Sequence, residues 1–226
     1  WTHRERVLAA LDHEEADRVP IDLGTTEATS IIAKACDDLR EYLGTDDEPT
    51  MLSGINSLVC PGEDVLERLG VDTRGVRPSW AEEQRLGLST ADSYVNEFGV
   101  TWQRPKNVLN PMFIHVNGPF QGTAPDPALV EAFPWPEPEG PEVIEGVRER
   151  VEEIKALGDY AIVLYLPGGG MLHRAYAMRG FEQFLKDLYK APDFLCLLMD
   201  KLTDYFVHVT ERAIAAAGPD DIDVVY

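Results

Sequence analysis

Residues 160–170, YAIVLYLPGGG, decide how the rest of the chain is read. The run Ala161–Leu166 is apolar without alternation, so both of its faces are expected to be covered, as in a buried parallel strand. It closes on Pro167, Gly168, Gly169 and Gly170 and passes at once into the helical pattern of residues 171–190, MLHRAYAMRGFEQFLKDLYK. In an α/β protein, such a strand brings its carboxyl end up to a pocket. The pattern then starts again. Pro192–Ala217 reads as a long helix with Phe194, Leu195, Leu198, Leu202, Phe206 and Val209 on one face, and PDDIDVVY (219–226) leads into a second apolar run, Ile222–Tyr226.

Working back toward the amino terminus, Glu142–Leu157 carries Val143, Ile144, Val147, Val151, Ile154 and Leu157 on one stripe. That stripe should cover the strand that follows. The proline-rich segment Ala124–Pro141 reads as an extended surface connection. Before it, Tyr94–Arg104 has the alternation of an antiparallel hairpin, and Met112–Val116 reads as a further short strand, so this region looks like a β-hairpin insertion. Glu63–Leu69 reads as a short helix stopped by Gly70, with a strand over Val71–Val76; Met51–Cys60 is ambiguous. Ser30–Leu43 reads as an amphipathic helix stopped by Gly44, and Arg18–Gly24 as the first strand, with Pro20 at its start. Thr2 followed by Glu5 is the reciprocal capping signature for a helix reaching Leu11. Strand and helix alternate, which predicts a single α/β domain over residues 1–226.

Composition narrows the function classes. Forty Asp and Glu against 20 Lys and Arg give a formal charge of -20 over 226 residues, which repels nucleic acid and anionic membrane. No apolar stretch has the roughly 18–20 residues a membrane span needs, and no basic-then-apolar leader precedes Leu8. Cys36, Cys60 and Cys196 lie far apart beside apolar patterns, which predicts buried, reduced thiols and a cytoplasmic protein.

Three ordered blocks carry a resemblance. THRERVLAALDHEEADRVPIDLG (2–24), EDVLERLGVDTRGVRP (63–78) with NEFGVTWQRP (96–105), and GGGMLHRAYAMRGFEQFLKDLYKAPDFL (168–195) resemble the uroporphyrinogen decarboxylase superfamily, most closely its corrinoid-linked methyltransferase-like branch. The resemblance covers essentially the whole chain and implies a TIM-type (β/α)8 barrel, with a cleft at the carboxyl ends of its strands. Against the size of such a barrel, the chain is expected to be its truncated first half. An open parallel edge at Ile222–Tyr226 is then a pairing hazard, and a homodimer one expected outcome.

The decarboxylases of the family carry an arginine-containing signature after the first strand and an aspartate near the second. Here IDLGTTEATSII (21–32) holds no Arg, and Pro61 falls near the aspartate position. A polyanionic tetrapyrrole needs local guanidinium groups, and the sequence shows no cluster of them. In the methyltransferase branch, a His-x-Cys pair and a later Cys bind zinc, which activates a thiol toward a cobalt-bound methyl group. The resemblance puts those ligands in the barrel's second half, so no metal and no cofactor is expected in this chain.

The candidate substrate-binding residues are Asp22, Thr25, Gly169, His173 and Tyr176. Tyr176 resembles the family's cleft tyrosine and also fits an amphipathic core position. His173, three residues earlier on the same helix face, reads as a partner in that pocket or as a partly exposed helix histidine. Asp22, in an otherwise apolar run, lines the cleft or makes a structural salt bridge. Thr25 is a helix-cap candidate as well as a ligand. Gly169 cradles an anion or forms a plain tight turn. His3, His13, His115 and His208 show no ligand spacing, and Arg179 reads as a helix-end residue. The expected partners are a small-molecule or tetrapyrrole-type substrate and a corrinoid protein. The competing readings are a uroporphyrinogen decarboxylase and a non-catalytic binding module.

Overall fold

The computed structural model describes residues 1–53, 57–78, 92–106, 113–166 and 170–226. The chain divides into two compact units. The first comprises Trp1–Ser89, Pro141–Pro167 and Arg212–Tyr226, the second Thr90–Gly140 and Gly168–Glu211.

In the first unit, helix α1 (His3–Leu11) starts where the capping signature puts it. Thr2 accepts from the Glu5 N–H, and the Glu5 side chain accepts from the Thr2 N–H. Strands β4 (Thr73–Val76), β8 (Ala161–Leu164) and β9 (Val224–Val225) form a parallel sheet in the order β4-β8-β9, in register from Thr73 opposite Ala161 and Val163 opposite Val224. All four β8 residues are buried, as an unalternating apolar run requires of a central strand. Helix α5 (Val147–Leu157) lays Val147, Val151 and Ile154 against Val76, Ile162 and Leu164, and Ala213 and Ala217 close the same core. Helix α3 (Glu63–Arg68) precedes β4 and gives way to Gly70 at φ 65°.

A second, antiparallel sheet in this unit joins β1 (Ile31–Ile32), β3 (Leu58–Cys60) and β2 (Thr50–Ser53) in the order β1-β3-β2. It corrects two readings. The helix expected from Ser30 starts later, as α2 (Ala33–Leu43), because Ile31 and Ile32 pair with Val59 and Leu58, and the Ala33 N–H goes to the Ser57 carbonyl. Gly44 ends α2 in the left-handed conformation, as expected. The first strand is also corrected: Arg18–Gly24 joins no ladder among the described residues. Pro20 has no N–H to give, and the Ile21 N–H goes to the Asp72 carboxylate at 2.8 Å; Val19 is left 81% exposed.

In the second unit, β5 (Ser93–Val95), β6 (Thr101–Gln103) and β7 (Ile114–Asn117) form an antiparallel meander, the expected insertion. The proline-rich segment is corrected in part, since Asp126 caps a short helix α4 (Pro127–Glu131) within it. Helices α6 (Gly170–Arg179) and α7 (Phe181–Lys190) follow, then α8 (Pro192–Ala217), most of which belongs to this unit. Phe98, Val100, Phe120, Met178, Phe184, Phe194, Leu198 and Leu202 form its core.

The molecule is thus mixed α/β with a parallel sheet. Among the described residues that sheet has three strands and closes no barrel, so the half-barrel expectation stands only at this coarser level. No helix among the described residues is long and apolar enough to cross a membrane. Cys36 is buried as expected, Cys60 is half-buried and Cys196 is exposed, which corrects the reading of three buried thiols; all three are free.

Candidate functional site

The first unit contains a cavity of about 240 Å³ against β4. Thr25, Thr73, Cys60, Arg74, Arg77 and Arg150 are among its lining residues. Its wall is fixed by a tight loop. Gly24, at φ 86°, lies so close to Cys60 that an added Cβ would stand 2.6 Å from Sγ, and a Cβ on Gly75 would stand 3.0 Å from the Thr25 Cα. Thr26 and Thr29 lock the loop by exchanging backbone and hydroxyl hydrogen bonds, 3.2 and 3.3 Å long.

Asp22 and Thr25 come together here. The Thr25 hydroxyl donates to Asp22 at 2.8 Å, and the Thr73 hydroxyl donates to the same carboxylate at 2.7 Å. Among the described residues Asp22 makes no salt bridge, and it is not among those lining the cavity; it orients two threonines that do line it. Thr25 is buried, and its side chain faces Asp22 instead of capping a helix.

The guanidinium groups are what the sequence did not reveal. Arg74 is fully buried, chelates Glu63 through Nε at 2.9 and 3.1 Å, gives Nη1 to the Val71 and Thr73 carbonyls, and lies 3.8 Å above the Tyr160 ring. Arg77 reaches the Met51 carbonyl and Arg150 the Gly75 carbonyl, each at 3.4 Å, while Arg150 also pairs with exposed Glu153 at 2.9 Å. Residues 74, 77 and 150 share no spacing in sequence; β4 and α5 bring them together. Burial pushes the Cys60 thiol up to about 11, against the pull of Arg77, Arg150 and Arg74, so it is a neutral thiol at pH 7.

In the second unit, His173 and Tyr176 stack with ring centroids 4.9 Å apart. His115 joins them, 5.5 Å from Tyr176 and 6.1 Å from His173, and Trp102 stands edge-on to both histidines at 5.7 Å. Histidine spacing in sequence gave no hint of His115, because strand pairing opposes it to Trp102 across β6 and β7. Burial lowers the pKa of both rings, and Arg174 and His115 lower His173 further. Arg179 ends helix α6, as expected. It is fully buried, bonds Asp187 at 2.5 Å and donates to the Phe120 and Thr123 carbonyls. Gly169 lies outside the described residues.

Among the described residues, no group of three or more His, Cys, Asp and Glu side chains is placed to hold a metal ion.

No protein-family model and no curated protein matches this chain. A solved structure of a methyltransferase from Methanosarcina mazei is similar to it over 100% of this chain, with 19% identity and a TM-score of 0.48. The chain spans 58% of the length of that structure.

Proposed function

We propose that this chain belongs to a corrinoid-linked, methyltransferase-like enzyme of the uroporphyrinogen decarboxylase superfamily, and that its β4 cavity takes the anionic end of a small methyl acceptor. The observation that carries the reading is the convergence of Arg74, Arg77 and Arg150 with Thr25 and Thr73 in a protein of charge -20. Guanidinium groups kept together against such a background suit a carboxylate or another oxyanion, which they bind by charge-assisted hydrogen bonds. Arg74 is neutralised by Glu63, and Arg77 and Arg150 line the same cavity. Thr25 and Thr73, held by Asp22, add hydroxyl groups.

Size favours this reading over its main rival. Three guanidinium groups also favour a uroporphyrinogen decarboxylase, whose substrate is a polycarboxylate. Yet about 240 Å³ falls below the roughly 300–1,000 Å³ of pockets for drug-sized ligands, and a tetrapyrrole is larger still. A small acid, such as a thiol-bearing carboxylate, fits that volume better.

Calorimetric titration with mercaptoacetate, alongside spectroscopic titration with a corrinoid and with a porphyrinogen, tests the proposal. Saturable mercaptoacetate binding that weakens at least roughly ten-fold in Arg77→Gln and Arg150→Gln is expected, one lost charge-assisted bond being worth about 1.5–3 kcal/mol. Porphyrinogen binding that depends on the same arginines would favour the decarboxylase. Binding of none of the three would leave a non-catalytic module as the better account.

A further inference from the structure

We propose that His115 and His173 form a binding site for a single divalent transition-metal ion, with solvent completing its coordination. Neither ring makes a hydrogen bond among the described residues, and both are only partly buried, so their nitrogen lone pairs are open to an incoming ion. Of the other histidines, His3 is held by Asp72 and His208 by Glu139.

The spacing suits one ion. With metal–nitrogen bonds of about 2.0–2.1 Å, each ring centroid lies about 3 Å from the metal. Two rings around a tetrahedral ion then have centroids about 5 Å apart, and a wider ligand angle brings them to about 6 Å. The observed 6.1 Å, with ring planes at 64°, lies at the wide end of that range. The scaffold on either side is firm. His115 sits on a paired strand opposite Trp102, and His173 is clamped by the Tyr176 ring, which itself rests edge-on against Phe181 and Phe184. Burial keeps both imidazoles neutral near pH 7, the form that ligates. Imidazole pairs select Ni²⁺, Cu²⁺ and Zn²⁺ over Mg²⁺, which prefers oxygen ligands. The site differs from a three-residue zinc centre in having two protein ligands, both nitrogen.

Chelator-treated protein titrated with Zn²⁺, Ni²⁺ and Mg²⁺ by calorimetry should take up one equivalent of Zn²⁺ or Ni²⁺ and no Mg²⁺. His115→Gln and His173→Gln should each weaken binding at least roughly ten-fold, since even a lost supporting contact to a ligand costs 10–100-fold. His208→Gln should bind as the parent does. In the unsubstituted protein, paramagnetic Ni²⁺ should broaden the imidazole proton resonances of His115 and His173 before those of His3, His13 and His208. Absence of saturable binding, undiminished binding in the two glutamine variants, or broadening centred on another histidine would overturn the proposal.

Discussion

Asp72 has no solvent exposure and accepts from Arg6 at 2.6 Å, from Arg18 at 2.6 and 2.9 Å, from His3 at 2.8 Å and from the Ile21 N–H at 2.8 Å. One carboxylate thus ties α1 and residues 18–21 to the start of β4. Burial alone would raise its pKa; the bonds from Arg18, Ile21, His3 and Arg6 outweigh that and hold it at about 2. Asp72→Ala leaves the buried Arg6 guanidinium without this partner and should cost about 3–5 kcal/mol in urea unfolding at pH 7. Because the folded pKa is depressed, the stabilisation is present above about pH 4 and is lost as pH falls through about 2, a change of about 2 kcal/mol. Unfolding of the parent at pH 3 and pH 7 should show the loss, and the Asp72→Ala difference should narrow at the lower pH. His115 and His173 act in the same direction at higher pH. Their pKa values are lowered in the fold, so protonation below about 6.5 favours the unfolded chain.

At the scale of elements, local chemistry is written plainly in the sequence. The Thr2 and Glu5 pair starts α1, and Thr2→Ala should destabilise the protein by about 1 kcal/mol, read from the urea midpoint at constant slope. The stripe on α5 predicts what it covers. Ile154 is fully buried over β8, and Ile154→Ala should cost about 2–5 kcal/mol by the same measurement. Periodicity revealed β4, β8, β9, α5 and α8 because each buries a face that its own residues define. It could not reveal β1 pairing with β3, nor the failure of Arg18–Gly24 to join a ladder. Those outcomes turn on partners 28 to 51 residues away, Val59 for Ile31 and Asp72 for Ile21. The candidate site divides in the same way. Asp22 with Thr25, and His173 with Tyr176, stand three residues apart and were legible together, whereas Arg150 reaches Arg74 and Arg77, and His115 reaches His173, only through tertiary structure.

For the molecule as a whole, the charge of -20 sets how stability responds to salt. Two effects compete. Added salt weakens attractive surface pairs such as Lys34–Asp38 and Glu182–Lys186, but exposed pairs of this kind contribute little, because water screens them. The buried pairs around Asp72 and between Arg179 and Asp187 are screened far less, because little solvent reaches them. Salt also relieves the mutual repulsion of 40 acidic groups, which acts across the whole surface and is cut once the Debye length falls to about 10 Å near 0.1 M. Relief of repulsion should therefore win. Raising NaCl from about 0.01 M to about 0.3 M is expected to increase stability by about 1 kcal/mol, a rise of roughly 2–4 °C in Tm for a chain of this size. Calorimetric melts at the two salt concentrations decide the matter, and a lower Tm at the higher concentration would mean that surface pairing, not net charge, governs the fold's response.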